Sequence, residues 1–134
     1  MKISEIISLI EEVAPISLQE EYDNAGMQVG NKNNEATGAL LCIDVTEDIV
    51  DEAIQKGLNL IISHHPLLFK GLKNITGKNY IERVVIKAIK NDISIYAAHT
   101  NLDNAQGGVN YKIAEKLNLQ FWEMMSLWHL CPAK

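Results

Sequence analysis

Apolar residues recur along this chain in two alternating rhythms. Ile3, Ile6, Ile7, Ile10 and Val13 follow the i, i+3, i+4, i+7 spacing of a helical face, with Glu5, Glu11 and Glu12 opposite and Pro15 as a stop. The rhythm returns in Ile49, Val50, Ala53 and Ile54. There Thr46 is placed to cap, Glu47 and Asp48 suit the positive end of the helix dipole, and Gly57 fits the position just past the end. Ile81, Val84, Val85, Ala88 and Ile89 repeat it, and Val109, Ile113, Ala114 and Leu117 mark a last helix. Between them lie short apolar runs at residues 39–43, 58–62 and 93–98, with a shorter strand at 27–30. Residues 20–26, 69–78 and 103–108 are polar or glycine-containing and predict loops.

Continuously apolar strands alternating with amphipathic helices predict a layered α/β fold. The expected sheet is mostly parallel, flanked by helices on both faces and joined by right-handed crossovers. The pattern predicts an α/β domain over residues 1–119, followed by an atypical apolar tail over 120–134. That tail contains Trp122, Met124, Met125, Leu127 and Trp128 without strand alternation or a helical stripe. Such a segment is expected either to pack on the domain or to form sticky surface that a missing segment or a partner chain covers.

At 134 residues the chain is long enough for one domain with its own core. A 47% apolar and 22% charged composition is that of an ordinary globular protein rather than a disordered one. The net charge of -5 lacks the basic footprint of phosphate-backbone binding, so nucleic acid is not an expected partner. Cys42 and Cys131 have no CxxC spacing and are expected to be reduced thiols, Cys42 as a small core residue. No signal-peptide pattern and no bilayer-length apolar run is present, which predicts a cytoplasmic protein without a membrane partner.

The candidate chemistry sits at strand ends. The run 58–62 stops at Ser63-His64-His65-Pro66, and the run 93–98 stops at His99-Thr100-Asn101-Leu102-Asp103. In parallel neighbours the carboxyl ends lie along one edge of the sheet, where ligands bind in open α/β folds. Asp44, His64, His65, His99 and Asp103 are therefore expected to converge. Imidazole and carboxylate are ligands for Zn, Mn, Fe or Ni. Adjacent side chains diverge, so His64 and His65 are better placed to bind two ions a few ångströms apart than to chelate one. His99 is expected as a ligand, a group behind the ligands, or a proton carrier. Set against this, a lone histidine is commonly half-buried without function, and aspartate routinely caps or turns a loop. Asp23-Asn24-Ala25-Gly26 predicts a tight turn, and Gly107-Gly108 either a flexible loop or backbone amides facing an anion.

Taken in order, four segments together closely resemble the dinuclear-metal-centre hexameric protein family, often called GTP cyclohydrolase 1 type 2. They are Glu21-Tyr22-Asp23-Asn24-Ala25-Gly26-Met27-Gln28-Val29-Gly30, Ile43-Asp44-Val45-Thr46, Ile62-Ser63-His64-His65-Pro66 and His99-Thr100-Asn101-Leu102-Asp103. The resemblance spans residues 3–119. It implies an α/β fold, a homohexameric ring with metal sites facing an internal cavity, and two divalent ions held by His64, His65 and Asp103. It further implies a metal-dependent hydrolase of a nucleotide or related heterocycle, with His99 as a possible proton-transfer group. The alternative is a non-catalytic metal-binding or regulatory interaction protein, or an inactive truncated homologue. The family's remaining ligands, a histidine and a glutamate on a late helix, belong to a C-terminal half that this sequence lacks. His129 is followed by no carboxylate at helical spacing and does not take their place. A truncation or frame change near Gln120 is therefore expected.

Overall fold

In the computed structural model, which describes residues 1–119, the alternating pattern becomes a four-stranded sheet between layers of helix. The expectations for the tail, including Trp122, Trp128, His129 and Cys131, lie outside the described residues. The strands are β1 (Gly26–Val29), β2 (Ala39–Cys42), β3 (Leu60–Ser63) and β4 (Ser94–Ala97), in the spatial order β1-β4-β3-β2. β2, β3 and β4 are parallel, while β1 runs antiparallel to β4, so the sheet is mixed with a parallel majority. The helices are α1 (Ile3–Val13), α2 (Glu47–Gln55), α3 (Tyr80–Lys90), α4 (Thr100–Asn104) and α5 (Val109–Lys116). Among the described residues no helix is long and apolar enough to cross a membrane.

Local signals account for the helix ends. The Thr46 hydroxyl accepts from the Ile49 amide at 3.3 Å, and the Asn79 side chain caps α3 through the Glu82 amide at 2.9 Å. Gly57 follows α2 with φ +67°, a conformation glycine adopts without penalty.

The core is double. On one face Ile61 and Ile95 pack with Val50 and Ala53 of α2 and Val84, Val85 and Ala88 of α3. On the other, Ile3 and Ile7 of α1 pack on Leu60 and Tyr96, with Ala98 just past β4. One expectation needs correction here: residues 39–43 do not form a fully buried strand. Leu40 and Cys42 face the α2/α3 layer, but Leu41 is 73% and Ile43 64% exposed. β2 is an edge strand and the α1 layer stops short of it, which an apolar run cannot reveal by itself.

The parallel ladder continues past the strands and delivers the loops that matter. The amides of His64 and His65 donate to the carbonyls of Cys42 and Ile43, and that of Ala98 donates to Ser63. Beyond it the short helix α4 runs from Thr100 to Asn104 and takes the first two positions of the loop expected at 103–108. The Asn101 side chain accepts the His99 amide, and the His99 carbonyl accepts from Leu102 and Asp103, closing the first turn. Gly108 belongs to packing rather than to an anion site. A Cβ there would lie 1.9 Å from the Leu102 carbonyl oxygen.

Two outcomes test this account. Ile61→Ala empties a fully buried position and is expected to destabilise by about 2–5 kcal/mol, whereas Leu41→Ser on the open side of β2 changes stability by about 0.5 kcal/mol or less, both read by urea unfolding. Gly108→Ala is expected to lower the melting temperature and disturb the α4 amides in an NMR spectrum, because backbone rather than a flexible side chain occupies the space.

Candidate metal centre

Three imidazoles meet at the carboxyl edge of the sheet, two from the end of β3 and one from the end of β4. The ring centroids are 5.0 Å apart for His64 and His65, 5.2 Å for His64 and His99, and 5.6 Å for His65 and His99. One ring nitrogen from each lies within 4.8 Å of the others.

Each ring is held by its other nitrogen. Nδ1 of His64 lies 3.1 Å from the carbonyl oxygen of Ala98, an acceptor only, so this nitrogen carries the hydrogen. His65 Nδ1 meets Asp44 Oδ1 at 2.8 Å on the exposed rim, and His99 Nδ1 meets Asp23 Oδ1 at 2.8 Å in the interior. With every Nδ1 engaged by an oxygen acceptor, Nε2 is the nitrogen each ring leaves for a cation. That is the usual way a protein sets the tautomer of a metal-binding histidine.

Asp103 approaches from α4. Its Oδ1 is 3.9 Å from His64 Nε2, too long for a hydrogen bond. Two donors each about 2.1 Å from a shared cation stand about 3–4 Å apart, so this spacing suits a common ion. Burial pushes the Asp103 carboxyl above its ordinary range, and the neighbouring His64 and His99 offset this only in part. A partly desolvated carboxylate beside three imidazoles is the kind of donor set that divalent cations take.

Sequence reasoning missed the support beneath the site. Asp23 is not simply part of a tight turn. Its side chain is fully buried, and it accepts from His99 Nδ1, the Asn24 amide at 2.6 Å, the Thr100 amide at 3.1 Å and the Thr100 hydroxyl. Burial alone would raise its pKa, but the Thr100 and His99 hydrogen bonds outweigh it and hold the carboxyl below its ordinary value. Asn101 is also fully buried and donates to the Ala14 carbonyl at 2.7 Å. Asn24 donates to the Leu68 carbonyl at 2.6 Å, and Gln28 accepts the Leu68 amide at 3.1 Å, so the same segment steadies the loop after His65. No spacing rule relates position 23 to position 99. The signal was only that 21–30 is one of the motif segments. Cys42 is half-buried with its thiol pushed up to about 11, by burial first and by Asp44 second, which is no nucleophile's environment.

Comparison with known proteins agrees with the motifs. The profile of Duf34/NIF3 (NGG1p interacting factor 3) matches residues 1–128. A Clostridium perfringens protein named GTP cyclohydrolase 1 type 2 homolog is 44% identical over 117 residues, covering 87% of this chain and 45% of the relative. A Bacillus subtilis protein of the same name is 42% identical over 130 residues, covering 97% and 35%. Among solved structures, a Bacillus cereus protein related to NIF3 superposes with a TM-score of 0.83 at 50% identity, covering 90% of this chain and 33% of that one. Reduced HcgD from Methanocaldococcus jannaschii gives 0.83 at 38% identity, covering 90% and 48%. The chain thus spans less than half the length of each of these four proteins. With 42–44% identity to these relatives over most of its own length and a profile match from residue 1 to 128, the chain belongs to the Duf34/NIF3 family.

Proposed function

We propose that this chain binds two divalent cations, Zn, Mn, Fe or Ni, through His64, His65 and Asp103, and supports metal-dependent hydrolysis of a nucleotide or related heterocycle. The observation that carries this is the convergence of imidazoles whose Nδ1 atoms are all engaged, beside a desolvated carboxylate. Bound cations would supply Lewis acidity and a more acidic water. His64 and His65, their ring centroids 5.0 Å apart, would each hold a different ion. Asp103, 3.9 Å from His64 Nε2, would place its charge between them. His99 closes the third side. The substrate class rests on the name that the relatives carry, GTP cyclohydrolase 1 type 2 homolog.

A second proposal is a non-catalytic metal-binding or regulatory role. It is favoured by the small number of ligands among the described residues, three imidazoles and one carboxylate, which leaves two cations dependent on water or on donors from elsewhere. Assembly into a ring of six is likewise proposed, and the uncovered apolar side of β2 around Leu41 and Ile43 supports association.

Elemental analysis of the purified chain is expected to find close to two metals per chain, and His64→Ala or His65→Ala to lose most of the binding. Unchanged metal content in both variants would end the metal proposal. His65→Ala should leave the melting temperature of metal-free protein nearly unchanged, since the ring is half-exposed and packs in no core cluster. Metal-dependent consumption of GTP, absent in the His64→Ala variant, distinguishes the hydrolase from the binding protein. Metal uptake without turnover favours the second proposal.

A further inference from the structure

The proposed metal centre gives no role to Asp23, and the sequence leaves His99 open between a ligand, a group behind the ligands and a proton carrier. Three observations bear on both. First, the Asp23 carboxylate is saturated. A carboxylate offers about four acceptor positions, and here four donors occupy them: His99 Nδ1, the Asn24 amide, and the amide and hydroxyl of Thr100. Asp23 has no lone pair left for a cation, so its contribution must pass through the groups it holds. Second, of those groups only the His99 ring reaches the metal centre. Its side chain is 17% exposed, and the Phe69 ring lies edge-on to it at 6.3 Å. Third, the His99 ring lies 5.2 Å from that of His64 and 5.6 Å from that of His65, and the Nδ1 atoms of both neighbours are likewise engaged by oxygen, which leaves Nε2 as the nitrogen each ring can offer.

We infer that His99 is a metal ligand of this centre and that Asp23 is its positioning residue, fixing the ring as the Nδ1–H tautomer with Nε2 turned toward His64 and His65. The inference rests on the proposed metal centre and adds a ligand to it. It also gives a reason for burying an acid where a turn residue would do. Carboxylate–histidine–metal relays orient the ring and raise its basicity, and losing the carboxylate commonly weakens metal binding by about 10–100-fold. Thr100 takes part because its amide and hydroxyl occupy the second carboxylate oxygen, leaving the first to His99 and the Asn24 amide.

The test is a zinc titration of the 134-residue chain by calorimetry, combined with histidine-ring 1H–15N spectra with and without zinc, on wild type, His64→Ala, His99→Gln and Asp23→Asn. His99→Gln is expected to lower zinc affinity at least tenfold. Asp23→Asn preserves side-chain shape and is expected to lower it about 10–100-fold, with the His99 ring losing its pure Nδ1–H signature in the metal-free spectrum. Zinc should shift His99 Nε2 in the wild type. A purely structural Asp23 would change the melting temperature without altering the ring's tautomer. If His64→Ala loses zinc while His99→Gln binds within threefold of wild type and His99 Nε2 does not shift, His99 is no ligand and the inference fails with the metal centre intact. If His64→Ala also binds zinc normally, the metal centre itself is wrong. Should Asp23→Asn fail to fold, His99→Gln and the wild-type zinc shift decide the ligand role, and a mixed or Nε2–H signature for His99 in metal-free wild type overturns the positioning role.

Discussion

A carboxylate sealed from water must have its acceptor positions met, or its charge is intolerable. At Asp23 they are met by donors from two distant parts of the chain, its own turn and the entry to α4. The segment before β1 is thereby tied to the segment after β4. The α4 side of the site builds on that junction. α4 begins where Thr100 is gripped, Asp103 lies one helical turn further on, and His99 is turned inward beside it. Removing the acid would leave several buried donors unpaired, at about 1–3 kcal/mol each.

The sheet explains why these groups arrive at the same place. β3 and β4 are parallel neighbours, with Ser63 opposite Ala97, so the residues that follow leave the same edge side by side. The 5.2 Å between the His64 and His99 rings is close to the roughly 4.8 Å that separates adjacent strands. β1 runs the other way, with Gly26 opposite Ala97. Its beginning, rather than its end, therefore lies at that edge, and the residues just before it can reach His99. A parallel β1 would have carried Asp23 to the opposite side of the sheet.

The rest of the molecule is divided between a closed side and an open one. α2 and α3 cover one face of β2, β3 and β4, while α1 covers the other face only over β3, β4 and β1. The exposed Leu41 and Ile43 lie on the same segment whose Cys42 and Ile43 carbonyls accept from the His64 and His65 amides. Whatever shields Leu41 and Ile43 would consequently sit close to the rim where Asp44 holds His65. The exposed apolar surface and the candidate site are neighbours in this fold.

Much of this was legible in the residues. Helical periodicity located α1, α2, α3 and α5, capping residues marked the ends of α2, and apolar runs closing on His-His-Pro and on His99 to Asp103 placed the candidate ligands at strand ends. These are local properties, set by the spacing of side chains along a regular backbone. Other features depend on partners far away in sequence. That β2 lies at the edge, that β1 is reversed, that Thr100 to Asn104 is a helix, and that Asp23 is a buried anchor rather than a turn residue all follow from which segments become neighbours. A polar residue looks the same in a sequence whether water or protein supplies its hydrogen bonds. For Asp23 only the folded chain decides, because the donors that make its burial tolerable are Asn24 beside it and His99 and Thr100 more than seventy residues away.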